Sequence, residues 1–330
     1  MSKTNTQRGI QQVTRRIRSK IKQIPLPGFD GVSFIDVGIF YKNGIANGAI
    51  GVRASAISFS FFMALFPSII FLFTLIPFIP VPNFQNELIR LFKEVLPSNT
   101  FQAIENTIID ITTKRRGSLL SFGFIAALIF STNGISAMIA AFNASANSFE
   151  NRTWISMRLI AIVLVFIFVI ITSVATGLIV SGRALTQFLV NQHILHSGLS
   201  RTLFVSGQWI VIVFLLFFII SILYYYAPAK RGKFRFFSPG AIMATLLVIL
   251  TTLAFSYYIN HFGRYNKLYG SIGTLLALLI WLNLNSFMLL MGFELNVSIN
   301  NARKNKSNDL ELSEDSQAYE RFYPKKEDLL

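Results

Sequence analysis

The chain has 330 residues, of which 53% are hydrophobic and only 14% charged. Such a balance is too apolar for an ordinary water-soluble domain, and the lack of any cysteine rules out disulfides and thiolate metal sites. The net charge of +15 is expected to orient the chain in a membrane and to meet anionic headgroups, with no specific nucleic-acid partner.

Six stretches carry no formal charge, at 54–86, 117–149, 159–182, 202–229, 236–263 and 268–293. Each exceeds the ~20 residues an α-helix needs to cross ~30 Å of hydrocarbon. They predict transmembrane helices near 54–80, 118–144, 157–182, 203–226, 239–262 and 269–296. Continuous apolar runs, without alternation over ~10-residue segments, argue against a β-barrel. The expected fold is therefore all-α, a six-transmembrane-helix bundle with short amphipathic helices at the interfaces. Around the membrane domain at 54–296 the sequence places a basic arm at 1–53 and a polar, disordered tail at 297–330.

In the arm, "IQQVTRRIRSKIKQI" sets Ile10, Val13, Ile17, Ile21 and Ile24 at helical spacing, with Arg15, Arg16, Arg18, Lys20 and Lys22 largely between them. This is a basic amphipathic helix, stopped by Pro25 and Pro27. It either docks on anionic lipid or only fixes topology. A weakly amphipathic segment near 33–47 leads along the interface to Arg53, at the mouth of the first span. No apolar core followed by a small-residue cleavage site occurs in the first 53 residues, so the first span is expected to act as the insertion signal.

That span holds Pro67 and Pro77, and Pro67 is a candidate kink, because an internal proline frees a carbonyl and bends a helix. The long connection after it repeats Phe84, Leu88, Leu91, Val95 and then Phe101, Ile104, Ile108, Ile111 around "LPSNT", which predicts two short amphipathic helices. In the second span, "FSTNGISAMIAAFNASANSF" brings Asn133, Asn143 and Asn147 into a charge-free window. Small residues at Gly123, Ala127, Ser131, Gly134, Ala137, Ala141 and Ala144 share one face, suited to close helix packing. Alternatively, Asn133 beside Gly134 breaks the helix and opens backbone groups to a polar cavity.

His193, His196 and His261 are too few and too poorly supported by acids for a zinc site, and no Walker A, G-x-S-x-G or H-E-x-x-H motif is present. No catalytic, metal or cofactor site is expected. The fifth span opens with "SPGAIMA", which makes Ser238 an N-cap, Pro239 a first-turn residue, and Gly240 with Ala244 a close-packing pair. In the sixth, Asn283 and Asn285 lie too deep to reach water and must bond to other helices or line a wet cavity. Glu294 falls near the membrane boundary, with Arg53 as a natural partner, either as a structural ion pair or as a gate.

Of the 30 Lys and Arg, 21 fall in the two termini and the connections after the second and fourth spans. By the positive-inside rule these segments, both termini included, face the cytoplasm.

Four stretches, "AISFSFFMALFPSI", "FSTNGISAMIAAFNASANSFENR", "YYYAPAKRGKFRFFSPGAIMA" and "YGSIGTLLALLIWLNLNSFMLLMGFELN", occur in an order and spacing that resembles the YihY/BrkB family of bacterial inner-membrane proteins. The resemblance covers roughly residues 35–300 and implies a six-span bundle in the inner membrane. Some members carry an older ribonuclease label, and others have been linked to envelope lipid or lipopolysaccharide-precursor transport. "GFELN" departs from the family's more usual Gly-Ala-Glu-Leu-Asn by placing Phe293 beside Glu294. The reading is a non-enzymatic protein that binds or moves a lipid or other amphiphile through a groove among the second, fifth and sixth spans. Asn133, Asn283, Asn285, Glu294 and Arg53 form its candidate polar path or gate. The alternatives are an envelope scaffold and, behind it, a ribonuclease.

Overall fold

The computed structural model describes residues 32–78, 89, 109–110, 114–145, 153–191, 199–229, 236–261 and 264–322. The basic helix expected at 10–24 lies outside them, as do the two helices expected after the first span, apart from isolated residues. The described part is all-helical: α1 (Phe34–Asn47), α2 (Ile50–Leu75), α3 (Gly117–Ser145), α4 (Trp154–Asn191), α5 (Leu199–Tyr226), α6 (Pro239–His261) and α7 (Arg264–Phe322). Six of these, α2 to α7, are long and apolar enough to cross a membrane. The protein is an α-helical membrane protein with one further helix, α1, at one end of its bundle.

Local sequence explains where the helices begin and end. Ser33 caps α1 by accepting the Ile35 N–H at 3.2 Å, and Asp36 sits in its first turn, where a carboxylate complements the helix dipole. Gly48 and Ala49 turn the chain into α2, with Ala49 in the left-handed region at φ 46°. α2 stays helical through Pro67 and ends in a 3₁₀ turn at Ile76–Phe78. α3 runs unbroken past Asn133 and Gly134, so the helix break envisaged there does not occur. At α6 the expected cap is present: the Ser238 hydroxyl accepts the Ala241 N–H at 3.2 Å, and Pro239 is the first helical residue.

The tail differs from expectation. α7 does not end near 296: it runs for 59 residues, from Arg264 to Phe322. No Gly or Pro occurs between Phe293 and Phe322, so polarity alone did not interrupt a helix already nucleated in the bundle. α1 gives the first part of that extension an apolar neighbour. Val32 and Val37 form a small core with Ile299 and Ala302, flanked by Phe40 and Leu295.

The larger core is concentrated at the α1 end of the bundle. Ala54 and Ile57 of α2, Ile139 and Phe142 of α3, Leu164 of α4, Leu223 of α5, Ala244 of α6 and Leu290 of α7 all meet there. Outward-facing positions remain large and apolar, with Phe122, Trp154 and Ile210 each about two-thirds exposed, as a surface bathed in hydrocarbon requires. Small residues bring backbones together. Gly123 lies against the Phe71 backbone, Gly134 against the Phe61 ring, and Gly240 and Gly292 against each other's carbonyls.

Candidate functional site

The polar side chains of the spans are distributed among several helix pairs. Asn133 of α3 accepts from Arg158 Nη1 of α4 at 2.6 Å, and the same nitrogen reaches the Thr132 hydroxyl at 3.3 Å. The guanidinium also lies 5.5 Å over the exposed Trp154 ring, a cation–π arrangement that holds the charge at the bundle surface. Arg158 was missed in the sequence because it stands one residue before an apolar window and counted only as a flanking charge.

Asn283 of α7 faces α2, donating to the exposed Ser55 hydroxyl at 3.1 Å and toward the buried Ser58 hydroxyl at 3.4 Å. Two residues on, Asn285 points to the other side. It donates to its own helix at Trp281 O, 2.8 Å, and receives the Thr252 hydroxyl of α6 at 3.4 Å. Both asparagines thus bond within the bundle, each with a neighbouring helix. Among the described residues no hydrogen bond joins either of them to Asn133, which is turned toward α4.

Arg53 and Glu294 come together at the α1 end. The Arg53 side chain crosses from α2 to the end of α3, where Nη1 donates to Ala141 O at 2.8 Å and to the Ser145 hydroxyl. Ser145 in turn hydrogen-bonds the Glu294 carboxylate, and an electrostatic attraction couples Glu294 to Arg53. Ser145 therefore sits between the cation and the anion, which make no direct ion pair within 4 Å. Glu294 is only 4% exposed, and its side chain lies hard against Gly44 of α1, where any Cβ would overlap the carboxylate. One carboxylate oxygen, Oε2, and two guanidinium nitrogens, Nε and Nη2, are buried without a hydrogen-bond partner.

Around this cluster the packing is aromatic and polar. Tyr41 of α1 lies beside it, its hydroxyl 3.8 Å from Met291 Sδ. Burial pushes the Tyr41 phenol above its ordinary range, and the nearby Glu294 carboxylate adds to that shift. Phe293 is buried, stacks on Phe142 with centroids 4.3 Å apart, and meets Tyr224 edge-on at 5.4 Å. The bulky residue that departs from the usual family pattern thus fills the space between α3 and α5. Behind it Asn296 accepts the Gly240 N–H at 2.9 Å and donates to Ser238 Oγ at 3.0 Å, fastening the start of α6 to α7. Asn143 accepts the Ala229 N–H at 2.8 Å and anchors the connection after α5. Tyr41, Ser145 and Asn296 were not singled out in the sequence, since each becomes informative only when another element is brought to it.

A family model described as virulence factor BrkB matches residues 44–317, which include every residue of this cluster except Tyr41. The chain belongs to the BrkB family. Among relatives of this BrkB-family protein is the ribonuclease-like protein YfkH of Bacillus subtilis, 31% identical over 76% of this chain and 90% of its own. A UPF0761 membrane protein of Idiomarina loihiensis is 28% identical over 63% of this chain and 70% of its own. Another, from Haemophilus influenzae, is 22% identical over 80% of this chain and 95% of its own. No solved structure matches the chain.

Proposed function

We propose that this BrkB-family protein binds an amphiphilic envelope component, a lipid, and passes its polar end along the α2–α7 side of the bundle. The observation that carries this reading is the Ser55–Asn283 pair, a hydrogen bond exposed at the side of two apolar spans. Hydrocarbon offers such groups no partner, whereas a passing headgroup does. Asn283 and Glu294 are 11 residues apart on α7, close to three full turns, so they share a helix face about 16 Å apart along the axis. The path begins at Asn283 and ends at Arg53 and Glu294, which act as its gate. Both termini and the α1 end face the cytoplasm of a bacterial inner membrane, in keeping with the 21 of 30 basic residues on that side.

A scaffold is the second reading, favoured by the backbone-close contact of Gly240 with Gly292. A ribonuclease label belongs to the YfkH relative. Among the described residues no three His, Asp or Glu side chains gather as metal-assisted phosphodiester cleavage requires. RNA cleavage by pure protein, abolished by a point substitution, would overturn the transport reading.

The test pairs two measurements, protein level in the membrane and movement of labelled lipid in reconstituted vesicles. Asn283→Leu and Ser55→Ala should slow lipid movement at normal protein level. Reduced level, or no lipid movement by the parent, decides for the scaffold.

A further inference from the structure

Four buried side-chain atoms at the α1 end lack a partner: Oε2 of Glu294, Oγ of Ser298, and Nε and Nη2 of Arg53. Glu294 and Ser298 are one turn apart on α7 and respectively 4% and 1% exposed. An ionised carboxylate ordinarily gathers several hydrogen bonds or a cation. Here the guanidinium is held on Ala141 O and Ser145, and Gly44 of α1 lies hard against the carboxylate. The packed arrangement gives the second carboxylate oxygen nothing to accept, which suits a carboxyl group that carries a proton.

The lid over this carboxyl is a small helix on a bend. α1 is joined to α2 through Gly48 and Ala49, and the left-handed Ala49 is a backbone conformation that an L side chain adopts only under constraint. Beyond this junction α1 and the residues before it pack through Val32, Val37 and Phe40 against Ile299, Ala302 and Leu295, through Ile45 on the larger core, through the Tyr41 hydroxyl near Met291 Sδ, and through Gly44 against Glu294. We propose that Glu294 is a proton-binding site and that its proton keeps α1 docked: loss of the proton releases α1 and opens the α1 end of the bundle. No bond other than O–H is made or broken; the proton passes from Glu294 to water, leaving a carboxylate that either draws Arg53 from Ser145 or becomes hydrated. This adds an operating ligand to the gate and rests on the transport reading for its purpose, although the proton can be measured without any lipid.

The titratable or charged groups that face Glu294 are Tyr41 from α1, Arg53 from α2 and Tyr224 near its aromatic neighbours from α5; α3 contributes the neutral Ser145. The raised Tyr41 phenol and the guanidinium keep their protons at neutral and moderately alkaline pH. A response in that range that Glu294→Gln abolishes therefore reports Glu294.

The absence of cysteine makes a single introduced thiol unique. Ser298→Cys places it behind α1, and Gly38→Cys places it on the exposed face of α1, where an added Cβ meets nothing within 4 Å. In full-length protein in vesicles, the Ser298→Cys labelling rate divided by that of Gly38→Cys should rise roughly tenfold between about pH 5 and about pH 9, the range that carboxyls reach when buried. With Glu294→Gln added, the ratio should stay low throughout. A flat ratio in the parent, or an equal rise in both backgrounds, overturns the proposal. Infrared difference spectra of the unsubstituted protein keep the test independent of how the variants fold. A protonated-carboxyl band that fades as pH rises supports the site, and its absence at every pH means that bound water alone serves these atoms and overturns it. Lipid movement measured in the same vesicles separates the two ideas: a proton response without lipid movement defeats the transport reading and leaves the proton site standing.

Discussion

Gly292 has no room for a methyl group: a Cβ there would stand 2.5 Å from Ala244 Cβ and from Gly240 O, and 2.8 Å from the Tyr224 hydroxyl. Ala244 and Gly240 cannot move without shifting α6, so Gly292→Ala should destabilise the bundle by about 1–3 kcal/mol, as overpacking does. A lower thermal midpoint of the detergent-solubilised protein would register it; an unchanged midpoint would show that α6 and α7 are not in close contact. Asn296 stands one turn further along α7 and satisfies a first-turn N–H of α6. Asn296→Leu removes that acceptor and should cost about 1 kcal/mol, with a drop in midpoint that Asn300→Leu, at an exposed position, does not produce. The sequence marked Gly240 and Ala244 as a close-packing pair, and that role is what they have. It did not mark Gly292, because a lone glycine beside Met291 and Phe293 has no small-residue partner within its own helix.

At the scale of elements, the pairing of α3 with α4 rests partly on one charged group. Asn133→Leu removes the acceptor of Arg158 Nη1 and leaves the guanidinium with the weaker Thr132 contact. A polar group stripped of its partner costs about 1–3 kcal/mol. Protein level in the membrane should therefore fall, and Arg158→Leu in the same chain should restore part of it by removing the orphaned cation. If Asn133→Leu alone accumulates normally, the pair is not holding the helices. α7 carries a different lesson. Its apolar stretch was visible as a window between charges, but its continuation past Arg303 was not, because hydropathy reports what a membrane accepts and not where a helix ends. The helix is described as far as Phe322.

Across the whole molecule, charge and hydropathy make a prediction about topology that the helices alone do not. Reporter fusions after Arg116 and after His196 should score as extracytoplasmic, and a fusion at the C-terminus as cytoplasmic. A cytoplasmic signal at either of the first two reverses the α1 end and with it the side from which Glu294 would exchange protons. The basic arm should add a salt-sensitive attraction: a peptide of residues 8–25 should bind vesicles containing anionic lipid better than neutral ones, and equal binding would leave the arm with topology alone. Six spans, their approximate limits, the Ser238 cap and membership of a helical membrane family were all determined by the sequence itself. Those properties depend on local composition and on hydrogen bonding within single helices, which lipid enforces segment by segment. The partners of the buried polar groups were decided only by tertiary structure. Asn283 and Asn285, two residues apart, turn to α2 and α6, while Arg53, Ser145, Gly44 and Glu294, spread over 250 residues, converge on one spot. Inside a bilayer every helix is apolar to its neighbours, so which faces meet depends on close packing of small residues and on pairing of the few polar groups, and both are relations between segments.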